Sequence, residues 1–276
     1  MILGERTQQE LTRLLNQART AFSAGRLPET IELCRRTLAL DPDNLPAYLL
    51  WAYAELPGEN YLQLLARIHR HLHPRTYVGI GVETGACLTC AEPHTTIIGI
   101  DPKPQLKYRF GDQVRIFAET SDDFFVRRDL FKELGHRPVD LAFIDGMHLL
   151  EFALRDFINL EKHALPTSTI LAHDCLPLDE PSARRERVTT FSSGDTWRLI
   201  PCLKKYRPDL QIHTVATPPT GLAIIRHLDP SSTVLRDNLE CISAEFASLP
   251  YSVLEGDKRG QLNCVPNDWP TVRALL

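Results

Sequence analysis

The fold is decided by the stretch YVGIGVETGACL, residues 77–88, which reads as a short apolar strand, a turn with two glycines and the start of a helix. Glycine at 81 and at 85 removes the Cβ atoms where the chain must turn sharply, so the backbone can approach a ligand closely. The free N–H groups at the start of the helix favour a carboxylate. We therefore predict a ligand site at the end of this strand. A dinucleotide-binding domain would have a similar turn.

Short β-rich runs alternate with helical stretches on both sides of this turn. We predict strands at residues 76–80, 96–100, 114–117, 139–144, 169–172, 212–215 and 222–225. Runs such as TIIGI, VDLAFID and TILAHD are nearly continuous in apolar residues, and each ends in an acid or directly before one. This pattern is typical of parallel strands that are covered on both faces. The sequence therefore predicts an α/β fold, whose ligands bind beyond the carboxyl ends of the strands.

The overall composition is that of an ordinary globular protein, with 43% hydrophobic residues and a net charge of -4. This charge provides no basic field for nucleic acid or an anionic membrane, so we expect neither as a partner. The first residues, MILGERTQQELTRLL, lack a basic segment followed by an apolar one, and no run approaches the roughly 20 apolar residues of a membrane span. We predict a cytoplasmic protein. The scattered cysteines fit a reducing compartment, and Cys87 and Cys90 are expected to be neutral thiols on the helix after the turn.

The first part of the chain has helical periodicity, with a break at residues 25–28. This helix–turn–helix pattern resembles a tetratricopeptide repeat, and residues 47–55 would open a second, incomplete copy. The match depends on Ala18, Gly25, Leu38 and Pro42. Because one repeat cannot bury its apolar face alone, we predict that residues 1–72 form a helical module that packs on the next domain, on a second copy of the chain or on a partner protein. A plain helical extension without a binding role is the alternative.

Asp101 ends the second predicted strand, where an acid can accept both hydroxyls of a ribose, whether the ligand is S-adenosylmethionine or NAD. Together with the glycine turn, this acid makes the chain from about residue 76 to 232 resemble the class I S-adenosylmethionine (SAM)-dependent methyltransferases, in the branch of small O-methyltransferases that includes bacterial members of unassigned substrate. The resemblance is carried by Gly81, Gly85 and Asp101. It implies a Rossmann-like sheet of about seven strands with helices on both faces, SAM as the cofactor and S-adenosylhomocysteine as the product. We therefore divide the chain into the helical module, a methyltransferase domain at 73–232 and a tail at 233–276 with one helix over 233–249.

One position departs from the family pattern. Gly79 stands where the family usually has an acid that engages the methionine end of SAM. Its loss implies weaker SAM binding, compensation by Glu83, or a degenerate enzyme. The resemblance also carries the role of lying along the adenine to Ser121, which would otherwise be an ordinary helix N-cap. Asp145 completes the set of residues expected at the cofactor.

The ends of strands four and five gather the candidates for catalysis. Asp145 and His148 follow strand four, and His173 and Asp174 close strand five. Methyl transfer needs a nucleophile held in line with the sulfonium, with its proton removed or its pKa lowered. We predict that His148 is the base, helped by Asp145 and Asp174.

A metal ion offers a second way to activate the acceptor. The resembling catechol-type enzymes use a divalent cation, which Asp145, His173 and Asp174 would hold here. A histidine ligand shifts the preference from magnesium toward zinc, manganese or iron. The plain alternative is that Asp145 only caps its strand and the two histidines are satisfied polar residues.

A polar stretch after strand five, LDEPSARRER at 178–187, is predicted to be a solvated segment or a substrate-covering lid. In the lid interpretation, Trp197 would stack on a sugar or an aromatic acceptor.

The leading hypothesis is a SAM-dependent O-methyltransferase acting on a small-molecule or glycan hydroxyl. The alternative is a methyltransferase-like scaffold that has lost catalysis and acts through its helical repeat. An NAD-dependent oxidoreductase is disfavoured, because Glu83 occupies the second glycine of the GxGxxG turn.

Overall fold

The computed structural model of the protein describes residues 5–276. These residues form one mixed sheet with helices on both faces, so the predicted α/β class is confirmed. The strands are β1 Thr76–Ile80, β2 Thr96–Ile100, β3 Val114–Phe117, β4 Val139–Ile144, β5 Ala164–His173, β6 Gln211–Val215, β7 Leu222–Arg226 and β8 Cys264–Val265. The longer helices are α1 Glu5–Ser23, α2 Leu27–Leu40, α3 Leu45–Glu55, α4 Tyr61–Leu72, α5 Ser121–Arg127, α7 Leu150–Glu161, α8 Leu199–Tyr206, α10 Leu239–Ala247 and α12 Trp269–Leu275. Three single-turn helices are α6 Leu130–Glu133, α9 Val234–Asp237 and α11 Lys258–Gln261.

The strand order across the sheet is β3-β2-β1-β4-β5-β7-β6-β8. Strands β1 to β5 are mutually parallel, whereas β7 runs antiparallel to both of its neighbours. The chain leaves β1 toward β2 and β3 on one side, and returns to β4 and β5 on the other. This reversal is the topological switch point, where open α/β sheets open a crevice at the carboxyl ends of their strands.

The central strands are buried on both faces, as their continuous apolar runs predict. In β4, Ala142 and Ile144 join the core beneath α5, α7 and α8, while Leu141 and Phe143 join the core beneath α4 and α12. The alternation follows from the two-residue period of a strand. All seven predicted strands are present, and β8 adds an eighth at the edge.

The N-terminal helices form the predicted helix–turn–helix. The break falls where the sequence places it, and α2 begins with a proline in its first turn. Buried residues of α1, α2 and α3, among them Leu14, Cys34 and Trp51, belong to the same apolar cluster as one face of the sheet. The helical segment therefore packs on the α/β domain. The division of the chain at residues 72 and 232 stays a prediction.

Two helix predictions differ from the structure. The helix expected to begin near Gly85 is a five-residue 3-10 helix, Ala86–Cys90. The single helix expected over 233–249 is split into α9 and α10, because the backbone at Asn238 leaves helical geometry with φ -116° and ψ 14°. Within residues 5–276, no helix is both long enough and apolar enough to cross a membrane.

Candidate active site

A cleft of ≈ 480 Å³ opens at the carboxyl ends of β1, β2, β4 and β5, which is the switch point of the sheet. Its lining includes four of the predicted acids, namely Glu83, Asp101, Asp145 and Asp174. Gly81, His148 and His173 line it as well. Seven of the residues proposed from strand ends and from the glycine turn thus meet in one cavity.

The glycine turn is shaped by contacts of the chain with itself. Gly81 has φ 77°, and a Cβ atom there would overlap the carbonyl oxygen of Asp145 and lie 2.8 Å from the Cα atom of Gly146. The loop after β1 can therefore touch the loop after β4 only if residue 81 lacks a side chain. A Cβ at Gly85 would lie 2.9 Å from the ring of Phe110, so this glycine accommodates an aromatic side chain rather than facing the cleft.

Asp101 holds the turn and lines the cleft at the same time. Its Oδ2 accepts the backbone N–H of Glu83 at 2.8 Å, and its Oδ1 accepts that of Lys103 at 2.7 Å. A carboxylate has about four acceptor positions, so two positions are left for ligand hydroxyls. Glu83 itself has a positive φ of 41°, and its side chain is exposed.

Besides Gly85, two more predicted cofactor residues lie outside the cleft lining. Gly79 is buried in β1, and a Cβ there would lie 3.1 Å from the Leu88 side chain. Ser121 is the first residue of α5, where Thr120, and not Ser121, is the N-cap that accepts the N–H of Asp123 at 3.1 Å. A side chain at position 79 would thus point into an apolar layer beneath the turn. The adenine role of Ser121 stays a prediction.

The four polar residues at the ends of β4 and β5 form one cluster. Nδ1 of His148 lies 3.0 Å from Oδ2 of Asp174, and Nε2 of His148 lies 3.5 Å from Oδ1 of Asp145. Nδ1 of His173 lies 3.1 Å from the same Asp145 oxygen. His148 and Asp174 both have a left-handed backbone, with φ 56° and 60°. Such conformations are uncommon for residues other than glycine and concentrate at functional sites.

One oxygen in this cluster lacks a hydrogen bond. Asp174 is buried, its Oδ1 accepts the hydroxyl of Thr220, and its Oδ2 has no hydrogen-bond partner among residues 5–276. The neighbouring Nδ1 of His148 instead makes its bond with the carbonyl oxygen of Ser192 at 3.1 Å. The buried Oδ2 of Asp174 is compensated by the charge of the His148 ring 3.0 Å away but by no hydrogen bond, so the site is suited to a cation or to a hydroxyl donor.

The donor geometry brings together a set of possible metal ligands that contains His148, while the predicted set with His173 stays a prediction. Asp145, His148 and Asp174 each offer a ligand atom, and these atoms lie within 4.8 Å of one another. His173, which was predicted as the histidine ligand, instead stacks on Tyr61 with ring centroids 4.0 Å apart. Its Nδ1 orients Asp145, so His173 supports the cluster from behind.

The charges of the cluster shift its pKa values strongly. The Asp174 carboxylate raises the pKa of His148 to about 10, against the opposing effect of burial. Burial also acts to raise the pKa of Asp145, but the neighbouring His173 and His148 hold it well below its usual range. Without a bound cation, His148 is therefore protonated at neutral pH and Asp145 is ionised. A protonated imidazole donates hydrogen bonds and cannot accept a proton, which limits the predicted role of His148 as a base.

The loop after β5 is folded onto the domain, and Trp197 is not a lid residue. Its indole is fully buried and packs edge-on against Tyr251 with ring centroids 6.1 Å apart. The prediction that Trp197 stacks on an acceptor is therefore wrong, because the ring lies in the core beneath the loop. The part of the loop that does line the cleft comprises Arg187, Thr190, Phe191 and Ser192.

A buried acid anchors this loop. Asp195 accepts the first N–H of α7, from Leu150, at 2.7 Å, and it pairs with both Arg185 and Arg198. Arg185 also makes two bonds with Glu151, at 2.7 and 3.0 Å. The polar stretch predicted as a solvated segment is thus partly turned inward.

Several cleft residues carry no signal in the sequence. Tyr61 stands at the start of α4, Thr220 lies before β7, and Leu45 and Leu49 belong to α3. Each meets the cluster only because of the tertiary fold. A pattern of local sequence cannot identify them.

Part of the α/β domain is similar to a known protein family. Residues 78–175 match a family model described as a methyltransferase domain. This match covers β1 to β5 and confirms the methyltransferase-like domain that the glycine turn and the strand ends predict. A search of curated proteins gives no significant match.

Among solved structures, similar chains include the O-methyltransferase TomG of Streptomyces achromogenes, which is involved in tomaymycin synthesis and was solved with SAM. It is 15% identical, the match covers 59% of this chain and 77% of that chain, and the TM-score is 0.44. An O-methyltransferase of Bacillus cereus in complex with S-adenosylhomocysteine has 15% identity, coverages of 63% and 85%, and a TM-score of 0.44. A Podospora anserina methyltransferase bound to S-adenosylhomocysteine has 14% identity, coverages of 83% and 98%, and a TM-score of 0.45.

Proposed function

We propose that the methyltransferase domain of this chain catalyses SAM-dependent O-methylation of a small-molecule or glycan hydroxyl. The observation that carries the proposal is the meeting, in one cleft, of the ribose-type acid Asp101 with the acid–histidine cluster of Asp145, His148 and Asp174. The first feature suits a nucleoside cofactor, and the second suits activation of a hydroxyl.

The residues at the β1 and β2 ends fit SAM, which supplies a methyl group on a sulfonium when bound. Asp101 would accept the ribose hydroxyls with the acceptor positions that its two backbone bonds leave free. Gly81 and Glu83 shape the floor of the cleft beside it. At position 79, apolar packing replaces the acid that the family usually has, so Glu83 is the remaining acid of the turn that can approach the amino group of the methionine end.

The cluster also fits a divalent cation, because three ligand atoms converge and one buried oxygen of Asp174 makes no hydrogen bond within residues 5–276 and pairs with the His148 ring. Asp145, His148 and Asp174 would hold the ion, and one imidazole among the ligands favours manganese, zinc or iron over magnesium. When bound, such an ion would lower the pKa of the acceptor hydroxyl. Thr220 and His173 orient the two carboxylates from the protein side.

The chain's own residues determine where the acceptor proton goes. With His148 protonated, Oδ2 of Asp174 pairs with the charge of its ring at 3.0 Å but makes no hydrogen bond within residues 5–276, so it can accept one from the acceptor. The acceptor hydroxyl would donate to this oxygen while the His148 ring, fixed by the carbonyl of Ser192, orients it from the side. As the new C–O bond forms and the C–S bond breaks, the hydroxyl proton passes to Oδ2 of Asp174, because the protonated His148 cannot accept it.

A second candidate follows from position 79. The space for the family's acid faces Leu88 and Val82, so the domain could have kept its fold while losing tight SAM binding. In that case it would act as a binding or scaffold protein through its helical segment, with a protein partner or a second copy of the chain. A cytoplasmic location stays a prediction in either case.

The proposal is tested by turnover. Purified protein is incubated with SAM, a divalent cation and a panel of hydroxyl compounds, and release of S-adenosylhomocysteine is measured. Asp174→Asn should lower turnover by roughly 10²–10⁴-fold, as loss of an acid–base group does, and His148→Ala should also lower turnover because its ring orients the acceptor. The matched control is His94→Ala, since His94 is exposed and lies outside the cleft. Full activity of both cluster variants would overturn the assignment, and a panel without any methylated member would favour the scaffold role.

A further inference from the structure

One wall of the cleft is apolar and basic, in contrast to the acidic floor, and its residues come from two distant parts of the chain. Leu45 and Leu49 of α3 line the cleft together with Arg187 and Phe191 of the loop after β5. We call these four residues the helical wall. Leu49 keeps 39% of its surface exposed, although it belongs to an otherwise apolar helix. The helical segment is therefore part of the cavity in which chemistry is proposed.

Specific contacts fix the helical wall. The Asp43 carboxylate accepts the N–H of Thr190 and also its hydroxyl, the latter at 3.0 Å. The Tyr48 ring stacks on Phe191 with centroids 4.9 Å apart and planes 5° from parallel. The Tyr48 hydroxyl donates to Asp179 at 3.1 Å. These contacts join α3 to the loop across more than 130 positions of sequence, so the wall has a defined shape.

The wall is continuous with the acid–histidine cluster. Ser192, which follows Phe191 directly, places its carbonyl oxygen 3.1 Å from Nδ1 of His148. A molecule that reaches Phe191 where it lines the cleft is therefore beside the group proposed to orient the acceptor hydroxyl. The wall and the cluster together fit one acceptor.

Arg187 adds a positive charge to the wall. Its Nη2 donates to the carbonyl of Thr190 at 2.7 Å, which holds the guanidinium in place. Within residues 5–276 it makes no ion pair, whereas the nearby Arg184 and Arg185 are paired with Glu180 and Glu151. The hydrogen bonds from Thr190, and to a smaller extent the charge of Arg187, lower the pKa of Asp43. The Asp43 carboxylate is thus already engaged by two hydrogen bonds from Thr190.

We infer that the helical wall is the acceptor subsite, and that it selects a hydroxylated acceptor with an apolar or aromatic body and a carboxylate group. The leucines and Phe191 would cover the body, and Arg187 would pair with the carboxylate, for which a planar guanidinium is well suited. This inference rests on the proposed function. It favours a carboxylated small molecule over a neutral glycan, whose hydroxyls would find mainly aliphatic and aromatic side chains on this wall.

The test measures binding of matched probes to the full chain in the presence of saturating S-adenosylhomocysteine. The probes are hydroxybenzoates and hydroxycinnamates, each paired with its neutral carboxamide, in equilibrium titrations. We expect the carboxylates to bind about tenfold tighter than the amides, as one accessible charge-assisted pair allows. Arg187→Gln should reduce this preference to about twofold, and Arg184→Gln should leave it unchanged. Leu49→Gln should weaken both members of each pair.

The outcomes separate this inference from the function on which it rests. Equal binding of acids and amides, absence of binding by every probe, or an unchanged preference in Arg187→Gln protein with a wild-type melting temperature would overturn the subsite. Binding of the carboxylates without any binding of S-adenosylhomocysteine would support the subsite and instead contradict the proposed methyl transfer. Retention of the preference after phosphate is added in excess shows that a carboxylate, and not any small anion, is recognised.

Discussion

Replacement of Gly81 by Ala tests whether the cleft depends on the contact between the β1 and β4 loops. A Cβ at Gly81 would overlap the carbonyl oxygen of Asp145, and the atoms it meets are backbone, which cannot rotate away. The left-handed conformation costs roughly 1–2 kcal/mol for a residue with a side chain. Overpacking adds about 1–3 kcal/mol. We therefore expect Gly81→Ala to lower the free energy of unfolding by about 2–5 kcal/mol.

Gly135→Ala is the matched control for this prediction. Gly135 has a similar φ of 65°, but a Cβ there meets nothing within 4 Å, so the substitution should cost only the conformational part, about 1–2 kcal/mol. Urea unfolding at equilibrium measures both variants, and equal m-values would show that the same transition is compared. If Gly81→Ala were no more destabilising than Gly135→Ala, the close contact described here would be wrong.

The remaining predictions concern the loop anchor, a buried acid and the cation. Asp195→Ala should lower the free energy of unfolding by about 3–5 kcal/mol, since it leaves Arg198 without its buried partner. Asp229→Ala, at an exposed turn, is the control and should cost far less. Similar losses for the two variants in urea unfolding would refute the role of Asp195 as an anchor. Burial raises the pKa of Asp156 to about 7, above its unfolded value, so its stabilising contribution is complete below about pH 4 and is lost as the pH rises through about 7. Asp156→Asn should therefore show a smaller loss of stability between pH 4 and 8 than the wild type, and parallel stability curves would contradict this. Manganese should raise the melting temperature of the wild type but not that of Asp174→Asn, and an equal rise in both would exclude the cluster as the binding site.

The strands and the cluster could be predicted because local pattern determines them. A run such as VDLAFID is apolar on both faces, and the acid that ends it falls at the carboxyl edge where parallel strands converge. Asp145, His148, His173 and Asp174 are therefore brought together, as strand-end reasoning expects.

The rest of the site depends on tertiary contacts that no local pattern contains. Trp197 is preceded by polar residues and reads as a loop aromatic, yet the ion pairs of Asp195 turn this segment inward and bury the indole. The ring of His173 is held against the carboxylate of Asp145 while it stacks on Tyr61, a residue more than 100 positions away in the sequence. The two residues of β8 are too few to form a pattern, and they pair with β6 only after the tail folds back.

The central claim is that the cleft binds SAM through Asp101, and calorimetric titration of the protein with SAM tests it most directly. Asp101→Ala is compared with Asp112→Ala, an exposed acid before β3, and NAD is titrated in parallel. We predict measurable SAM binding, no NAD binding, and a loss of about 1–3 kcal/mol in Asp101→Ala alone, the usual size for charge-assisted hydrogen bonds. Melting curves of Asp101→Ala show whether part of the loss of SAM affinity comes from destabilisation of the turn that Asp101 also holds. Equal SAM affinity in all three proteins, or preferential binding of NAD, would contradict the account.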